Sequence, residues 1–539
     1  MDTKPAKSKK DRGASSASAR APHAKDRPAG PSGNARARFL PPDDVLTLLV
    51  IIVVIGAWLR LSGLALQSLW LDEIWTYYRT HYPTLSAMLT GGLTRDIHPP
   101  LFYILQYYLQ KYVGDSETIL RLPSAVAGVL SVPVIFLLGR RLYSDREGLA
   151  AAALMAVLWC PVYYSQEARA NMIMVLFSML SMYFWIALVT SLCRKERPDL
   201  WTIIGFAGST VVAGYVHYYG LLLVGLAGLA AAVVLLIKQP RALLALPLFY
   251  LPLLLVYIPW LPTMLRSTKT AAFGSFDFGR FPIIAFFKWA FNPGREAIWV
   301  AAAAVYAWLL GRTIYDAARK RTDPGWKPAP NASGGPATPY AGLFLVLWLV
   351  VPFAVSHLQS AVWRSTLTLR NMMICLPAVY LLAARGIARI PVARVYHLAI
   401  AVAVFVALLA ELLFGMRYYV TPAKDQYREA VAYVVMNDAK YPRSLIVGWK
   451  DPIFDYYFAK LGSRRRLQLN LWDRRAEYDL AREIQARGPD YLWLISGHWK
   501  IDPEFLAFMK SRYTLVDSKE LVCAWVFLYK NEPPPASAP

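Results

Sequence analysis

Long apolar runs separated by short polar joints make up most of this sequence. About eleven of these runs approach the roughly 20 residues that a helix needs to cross a bilayer. They lie at residues 45–66, 120–139, 148–164, 171–192, 200–216, 219–237, 243–264, 296–311, 340–357, 371–388 and 395–415. Of the 539 residues, 56% are hydrophobic, and a soluble protein of this length does not need so many apolar runs. The pattern therefore predicts a polytopic α-helical membrane protein.

Basic residues between these runs predict how the chain crosses the membrane. They occupy alternate joints, at 139–141, 193–197, 238–241, 312–327 and 385–394. Short basic loops remain in the cytoplasm, so the intervening loops are predicted to face outward. The outward loops are residues 66–119, 165–170, 217–218, 265–295 and 358–370.

One further segment would break this alternation if it crossed the membrane. Pro99 to Val113 is about 15 residues long, which is short for a span. It is rich in Tyr and is interrupted by Gln and Lys. We interpret it as an amphipathic helix lying on the outer face, within the juxtamembrane helices expected at 66–119.

The start of the chain differs from the apolar region 45–415. Residues 1–44 contain ten Lys or Arg among Ala, Ser, Pro and Gly, which predicts a disordered basic tail. This tail has no apolar centre of the kind that a signal peptide needs, so the first span is expected to stay as an anchor. The tail is then cytoplasmic. The net charge of +23 is explained by membrane topology and contact with anionic lipid, and we predict no nucleic-acid partner.

The chain becomes polar after the last apolar run. Strand-like and helix-like stretches alternate in this part, with strands at 444–449, 467–469, 491–495 and 521–529 and helices at 425–437, 452–461 and 474–487. Residues 416–532 are therefore predicted to form a compact α/β domain, which an odd number of spans places outside the cell membrane. Residues 533–539 are predicted to be an unstructured tail. The four cysteines are scattered, which indicates neither a disulfide framework nor a thiolate metal site.

Ionisable and aromatic residues are concentrated in the loops predicted to face outward. The clusters are Asp72-Glu73, Asp96-Ile97-His98-Pro99-Pro100, Ser165-Gln166-Glu167-Ala168-Arg169, His217-Tyr218-Tyr219 and Arg364 to Asn371. Each has a structural alternative: a solvated loop, a helix cap, an aromatic belt at the interface or a snorkelling arginine. Their convergence on one side of the membrane nevertheless predicts an outward-facing active site.

The Asp72-Glu73 pair directly follows the first span and is flanked by aromatic residues. Ionisable groups at the edge of the hydrocarbon region are costly and are functional candidates for that reason. An enzyme that removes a proton from a hydroxyl group beside a lipid-borne substrate needs a carboxylate at this depth. Asp72 and Glu73 are therefore the predicted catalytic residues, with Glu73 orienting the acceptor or Asp72 itself.

An ordered set of motifs resembles one family. It comprises Leu71-Asp72-Glu73, His98-Pro99-Pro100-Leu101, Arg121-Leu122-Pro123-Ser124 continuing to Leu142, Ser165 to Arg169, and Leu369-Arg370-Asn371 continuing to Pro377. The set resembles the GT-C glycosyltransferases of the protein-O-mannosyltransferase type, which include the aminoarabinose and lipopolysaccharide-core galacturonic acid transferases. Asn371 departs from that pattern, in which Tyr is usual. The resemblance implies the GT-C fold over 45–415 and an inverting transferase that uses a polyprenyl-phosphate sugar, with Asp72 as the base.

The chemistry of such a reaction assigns roles to the remaining candidates. A departing phosphate needs a cation, and Arg370 or Arg169 could bind its oxygens with two parallel hydrogen bonds. His98, Glu167, His217 and Tyr218 are the candidate substrate-binding residues. No cofactor is certain, although carboxylates beside a histidine could hold a divalent metal. The expected partners are a polyprenyl-phosphate-linked sugar, a hydroxyl acceptor outside the cell membrane, and membrane lipid.

Two other functions fit parts of the pattern. A secondary transporter would use the outer charges as gates, but transporters place ionisable groups near the bilayer midplane and carry internal repeats. An envelope-assembly protein would bind an outside ligand through the α/β domain, which leaves the polar loop at 66–119 unexplained. The sugar and the acceptor both stay open, because pocket shape rather than sequence motifs decides them.

Overall fold

The computed structural model describes residues 42–533, except 94–95, 97, 271–281, 293, 323–340, 363–366, 449–450, 472–475 and 499. The predicted tails at 1–44 and 533–539 fall almost entirely outside the described residues, as does Arg364.

The apolar region folds into helices that follow the predicted runs closely. Their bounds are α1 Asp43–Leu61, α5 Glu117–Leu142, α6 Asp145–Val157, α7 Trp159–Ser165, α8 Asn171–Cys193, α9 Leu200–Val216, α10 Tyr218–Lys238, α11 Leu246–Tyr257, α12 Leu261–Thr270, α14 Glu296–Thr322, α15 Ala341–Val362, α16 Leu376–Ala388 and α17 Arg394–Ala410. Short 3₁₀ segments precede α11, α12 and α16, and a π-helical turn at Glu411–Gly415 extends α17.

Within the described part of the chain, nine helical segments are long and apolar enough to cross a membrane, and the bent pair α6–α7 makes a tenth. Helix α9 has 17 residues and occupies the position of the remaining predicted span. The centre of the bundle is formed by α5, α8 and α16, whose side chains are mostly buried, whereas α14 and α17 lie at its periphery. The prediction of a polytopic helical membrane protein is confirmed.

The bend between α6 and α7 has a clear physical cause. Leu158 adopts an extended conformation, and Pro161 cannot donate a backbone hydrogen bond, so the helix turns by 57°. The break leaves carbonyl groups of α6 without helical partners. The buried guanidinium of Arg60 donates to two of them, those of Met155 and Ala156. The bend turns α7 so that residues 166–170, which follow it, enter the polar end of the bundle.

Helices between the first two spans lie on the same side of the bundle as this loop. They are α2 Leu71–Thr80, α3 Leu85–Ala87, which continues as a π-helical turn at Met88–Gly92, and α4 Leu101–Tyr112. With 12 residues, α4 is shorter than the roughly 20 residues that a span requires. It packs against α2, α5 and α9. A further short helix, α13 Pro282–Phe291, follows α12.

The C-terminal part forms a five-stranded sheet with helices. The bounds are α18 Tyr427–Asn437, β1 Ser444–Gly448, α19 Asp451–Lys460, β2 Leu469–Asn470, α20 Ala476–Arg487, β3 Tyr491–Gly497, α21 Pro503–Arg512, β4 Thr514–Leu521 and β5 Ala524–Lys530. The strand order is β2-β1-β3-β5-β4. Strand β1 pairs in parallel with β2 and β3, whereas β5 is antiparallel to β3 and β4.

The sequence did not predict β4 or α21. Strand β4 is an edge strand with mostly exposed polar residues, so it lacks the apolar alternation that identifies a strand. A start signal for α21 was present, because Asp502 caps the helix and Pro503 occupies its first turn. Strand β2 is reduced to two residues.

The C-terminal domain packs firmly onto the helices that follow the first span. Leu69 and Ile74 from the start of α2 join one buried apolar cluster with Phe454 and Trp493 of the domain. The Tyr457 hydroxyl accepts a hydrogen bond from the Leu69 amide. These contacts place the loops of the domain directly beside the first turn of α2.

Candidate active site

Asp72 and Arg370 form a partly exposed ion pair, and we call the surface around these two side chains the cleft. Asp72 lies in the first turn of α2, and Arg370 directly precedes the 3₁₀ segment that leads into α16. A guanidinium nitrogen of Arg370 lies 2.8 Å from the Asp72 carboxylate. The two side chains are 38% and 32% exposed, so small polar molecules can reach both of them. The Arg370 guanidinium also lies over the Trp70 indole, 4.2 Å from its centroid.

Electrostatics keep Asp72 ionised. Burial alone raises the pKa of Asp72, but the positive charges of Arg169 and Arg370 more than offset this effect. The pKa of Asp72 therefore lies below its ordinary value of 3.8. At neutral pH the cleft presents a carboxylate that accepts hydrogen bonds or a proton.

The loop after the bent helix brings Arg169 to the same cleft. Arg169 is half-buried, and its guanidinium is close enough to Asp72 and Asp96 for both carboxylates to raise its pKa. It also lines a small recess with His98 and His217. The structure therefore brings together Asp72, Arg169 and Arg370, which lie in three separate parts of the sequence.

The two histidines of the recess are held in different ways. His98 Nδ1 lies 2.9 Å from a carboxylate oxygen of Asp96, which also pairs with Arg79. His217 caps α10 by accepting a hydrogen bond from a backbone amide, and its ring contacts His98 edge to face at 5.5 Å. Burial, His98 and Arg169 lower the pKa of His217 far below 6.5, so this imidazole is neutral.

Glu73 faces away from the cleft, although it is adjacent to Asp72. It is fully buried, and its two oxygens accept hydrogen bonds from Arg121 at 2.8 and 2.7 Å. The backbone amides of Ala168 and Trp70 donate to the same carboxylate at 2.7 and 3.2 Å. Burial opposes ionisation, but Arg121 and Lys424 lower the pKa of Glu73 to about 2. This geometry favours a role for Glu73 in positioning Asp72 over contact with a substrate.

Glu167 and Lys424 lie behind the cleft. Glu167 is buried, and its Oε2 has no hydrogen-bond partner within the described chain. Burial raises the pKa of Glu167, although Lys424 and Arg370 partly counteract this. The Lys424 ammonium donates to the Gln166 carbonyl and lies 3.6 Å from Glu73. Sequence reasoning missed Lys424, because a single lysine in a polar stretch gives no signal of its burial.

Tyr218 is the candidate that this cluster does not include. Its hydroxyl accepts a hydrogen bond from Trp260 at 3.3 Å, and it packs in a small apolar cluster with Tyr257 and Val224. The side chain thus contacts α10, α11 and the turn after α11. The neighbouring His217 is the residue of this pair that reaches the recess.

Comparison with known proteins identifies the fold. A family model for dolichyl-phosphate-mannose-protein mannosyltransferase matches residues 97–265. The crystal structure of ArnT from Cupriavidus metallidurans bound to undecaprenyl phosphate superposes with a TM-score of 0.52 and 14% identity. That match covers 90% of this chain and 98% of ArnT. This chain has the GT-C fold.

Two other solved structures show weaker similarity to this chain. AglB from Archaeoglobus fulgidus, in complex with an inhibitory peptide and a dolichol-phosphate, has 12% identity and a TM-score of 0.47 over 92% of this chain and 75% of AglB. The Pmt1-Pmt2 complex of S. cerevisiae has 18% identity and a TM-score of 0.33, covering 47% of this chain and 37% of that one. Neither similarity adds to the assignment of the fold. No curated protein sequence matches the chain significantly.

The charges of this GT-C cleft do not suit a divalent metal. Among the described residues, no group of three His, Cys, Asp or Glu side chains is placed to hold an ion. The carboxylates of the cluster already face cations: Asp72 faces Arg370, Asp96 faces Arg79, and Glu73 faces Arg121. A metal would have to displace one of these cations, so we derive no step through a metal.

Proposed function

We propose that this GT-C protein is an inverting glycosyltransferase that moves a sugar from a polyprenyl-phosphate donor to a hydroxyl group of an acceptor outside the cell membrane. The observation that carries the proposal is the partly exposed ion pair of Asp72 and Arg370 in the cleft. A carboxylate and a guanidinium side by side supply a proton acceptor and a phosphate-binding group. The ArnT structure, which contains undecaprenyl phosphate, supports this class of donor.

The transfer step follows from these two groups. The Asp72 carboxylate takes the proton of the acceptor hydroxyl while the acceptor oxygen forms a bond to the anomeric carbon. The bond between that carbon and the phosphate oxygen breaks, and the polyprenyl phosphate leaves with the electron pair. Arg370 and Arg169 stabilise the negative charge that develops on the phosphate. Attack from the face opposite the phosphate inverts the configuration.

The Asp72–Arg370 pair also suggests an order of binding. In the ligand-free protein Asp72 accepts a hydrogen bond from Arg370, which makes it a weaker base. A donor phosphodiester carries one negative charge, as a carboxylate does, and its two free oxygens compete for the same guanidinium N–H groups. Donor binding therefore releases Asp72 for the acceptor hydroxyl at the moment when a leaving group is in place.

The remaining polar groups suit a sugar. The recess is lined by His98, Arg169 and His217, and Asn171 contributes a buried amide nitrogen without a partner among the described residues. Glu167 offers the unpaired Oε2 noted above. Unpaired buried donors and acceptors cost free energy unless a ligand satisfies them. We assign these residues to the hydroxyl groups of the donor sugar.

The membrane orientation belongs to this proposal. The C-terminal domain contacts the start of α5, where Arg428 donates to Glu117, and Arg140 and Arg141 lie in the last turn of the same helix, at its other end. By the positive-inside rule, this arrangement supports an orientation with the cleft on the outer face of the cell membrane.

Mass spectrometry of the cell envelope tests the proposal. A strain without the gene should lack one sugar on one envelope component, and the wild-type gene should restore it. The Asp72→Asn variant should not restore it. Asp115→Asn is the matched control, because Asp115 also pairs with a cation, Lys460 at 2.6 Å, but lies outside the cluster. An envelope unchanged by loss of the gene, or restored by Asp72→Asn, would refute the proposal.

A further inference from the structure

Lys424 lies in the segment that leads from the last span into the C-terminal domain, and its side chain is almost completely buried. The ammonium group donates to the Gln166 carbonyl and lies 3.6 Å from the Glu73 carboxylate. It also faces the ring of Tyr163, 5.2 Å from the ring centroid. One side chain therefore contacts α2, α7 and the loop after α7, which carries two of the candidate binding residues.

The backbone of Lys424 is held in place as well. The amides of Ala423 and Lys424 both donate to the side-chain oxygen of Gln67, each at 2.9 Å. Gln67 lies just before α2, so the segment is anchored to the chain that leads into the first turn of that helix. A cavity of about 130 Å³, lined in part by Gln67, Lys424 and Glu429, adjoins the lysine. The side chain thus extends inward from a fixed backbone, and there is space beside it.

Two buried carboxylates near Lys424 differ in how much they depend on its charge. Glu73 already accepts hydrogen bonds from a guanidinium group and from two backbone amides. Glu167 has an Oε2 without a hydrogen-bond partner within the described chain. Burial raises the pKa of Glu167, and Lys424 is the strongest of the attractions that counteract this rise. A buried carboxylate without a nearby cation takes up a proton, so the charge of Glu167 depends mainly on Lys424.

The charge of Glu167 matters because we assign this residue to hydroxyl groups of the donor sugar. An ionised carboxylate accepts stronger hydrogen bonds from hydroxyl groups than a neutral carboxylic acid does. The hydrogen bond from Lys424 to the Gln166 carbonyl also holds the backbone directly before Glu167. Lys424 therefore acts on both the position and the charge of Glu167.

We infer that Lys424 is a positioning residue of the transfer reaction, whose ammonium group holds the loop after α7 in place and keeps Glu167 ionised for the donor sugar. The inference rests on the proposed function and deepens it by adding a residue that acts on the donor side without touching the substrate. Because Lys424 belongs to the segment that leads into the C-terminal domain, the packing of that segment completes the site.

The charge of Lys424 is sensitive to pH. Burial and the charge of Arg121 lower the pKa of Lys424 from 10.5 to about 8, although Glu73 and Glu167 oppose this change. Titratable groups around the ammonium include Glu73 of α2, Arg121 of α5, Tyr163 of α7, Glu167 of the loop and, along the cavity, Tyr419 and Glu429 of α18. Transfer should therefore decline above about pH 8, as Lys424 loses its proton.

The stability of the fold should respond to this titration in the opposite direction. Between about pH 8 and pH 10.5 the unfolded protein binds more protons at Lys424 than the folded protein does. Loss of the proton from Lys424 therefore adds stability as the pH rises through this range. A loss of transfer without a loss of stability is the result that a merely structural lysine would not produce.

Three variants separate position and charge from folding. Lys424→Met keeps an unbranched apolar side chain and removes the charge. Lys424→Arg keeps the charge at every pH used, and the adjoining cavity provides space for the larger group. Glu167→Gln removes the carboxylate through which Lys424 acts. Lys460→Met is the matched control, because Lys460 also belongs to the C-terminal domain and pairs with a carboxylate, that of Asp115, but lies outside the cluster.

The assay uses the full-length protein, a polyprenyl-linked lipid extract as donor, and envelopes from the strain without the gene as acceptor. At pH 7, Lys424→Met should raise the donor concentration for half-maximal transfer about tenfold or more, because a charge-assisted hydrogen bond to the sugar is lost. Undecaprenyl phosphate, which has no sugar, should bind within about twofold of wild type. Adding Glu167→Gln to Lys424→Met should cause no further loss. Lys460→Met should match wild type.

The pH profiles provide the second measurement. Wild-type transfer should decline above about pH 8, whereas Lys424→Arg and Lys424→Met should both lack this decline, the first at a high rate and the second at a low one. Over the same range, the melting temperature of wild type should fall no more steeply than that of Lys424→Arg. If Lys424→Met does not fold, the profiles of wild type and Lys424→Arg still decide.

The outcomes distinguish this inference from the proposed function. If wild-type protein neither transfers a sugar nor binds undecaprenyl phosphate, the proposed function fails and this inference fails with it. If wild type transfers but Lys424→Met keeps its donor requirement, or Lys424→Arg shows the same alkaline decline as wild type, only the inference about Lys424 is wrong. Weaker binding of undecaprenyl phosphate, or a melting temperature that falls together with transfer, would assign Lys424 a structural role and overturn the inference.

Discussion

Exchanging each of the two adjacent carboxylates for its amide should produce opposite defects. Asp72→Asn should keep the fold and lose transfer, because an amide cannot accept the proton. General-base catalysis contributes about 100- to 10,000-fold in rate. The ion pair of Asp72 with Arg370 is about one-third exposed, and such pairs contribute only about 0–1 kcal/mol to stability. Losing this pair should therefore leave the fold intact. Glu73→Gln should instead reduce stability.

The magnitude for Glu73 follows from its hydrogen bonds. One oxygen accepts from Arg121 and Ala168, and the other accepts from Arg121 and Trp70. Whichever way a glutamine is oriented, its NH₂ group faces two donors, so two hydrogen bonds are lost. Arg121 is also left buried without its anion, with Lys424 nearby. Breaking a buried ion pair in this way costs about 3–5 kcal/mol.

Thermal unfolding in detergent and sugar transfer, measured on the same preparations, test this contrast. Glu73→Gln should unfold at a lower temperature, and its remaining folded fraction should transfer at a rate near wild type. Combining Glu73→Gln with Arg121→Gln should cost less stability than the sum of the two single changes, because the uncompensated charge is gone. A Glu73→Gln protein that melts like wild type but does not transfer would show that Glu73 acts in the chemistry.

Acid titration gives an independent check on the same pair. The pKa of Glu73 is about 2 in the folded protein and 4.5 as its ordinary value. A carboxyl group whose pKa is lowered by folding stabilises the fold above pH 4.5, and this stabilisation is lost as the pH falls toward 2. The melting temperature of wild type should therefore fall more steeply across this range than that of Glu73→Gln. Parallel curves would contradict the assignment.

Three further predictions concern the donor, the pH profile and the topology. Arg370→Ala should weaken undecaprenyl phosphate binding by about 10- to 100-fold, because charge-assisted hydrogen bonds worth about 1.5–3 kcal/mol are lost. The affinity of Arg370→Lys should lie between those of wild type and Arg370→Ala, and an unchanged affinity in Arg370→Ala would leave Arg370 with only an interfacial role. The pKa of Asp72 lies below its ordinary value, so protonation of Asp72 should not reduce transfer between pH 7 and pH 5. A loss of transfer centred between these pH values that disappears in Asp72→Glu would refute the assignment of Asp72 as the base. On intact spheroplasts an impermeant maleimide should label the exposed Cys523 and not Cys193 at the basic end of α8, and the reverse pattern would invert the topology.

The membrane fold could be predicted from the sequence because hydrophobicity and basic loops act locally. Every predicted run corresponds to a helix or a bent helix pair in the described structure. The bend after Val157 was not predicted, because it depends on Arg60, which lies about 100 residues earlier and satisfies the carbonyls that the break exposes. Strand β4 was missed because its side chains are polar and exposed.

The sequence located the candidate site, but the contacts within it were beyond reach. Asp72, Arg169 and Arg370 were each noticed as charges in outer loops, yet nothing local shows that Arg370 pairs with Asp72 across almost 300 residues. Lys424 gave no signal either. A single lysine in the segment before a soluble domain becomes informative only when packing brings its ammonium to Glu73 and the Gln166 carbonyl.

The different positions of Asp72 and Glu73 follow from helix geometry. Successive residues of an α-helix point about 100° apart, so neighbours in the first turn cannot both face one cleft. Glu73 turns inward, where its carboxylate accepts a hydrogen bond from Arg121. It also accepts one from the backbone amide of Ala168, which belongs to the loop that carries Arg169. The buried carboxylate thus holds together the two segments that carry the base and one phosphate-binding arginine. Loss of the Glu73 carboxylate should therefore reduce the stability with which these two segments pack together, whereas loss of the Asp72 carboxylate should leave their packing intact.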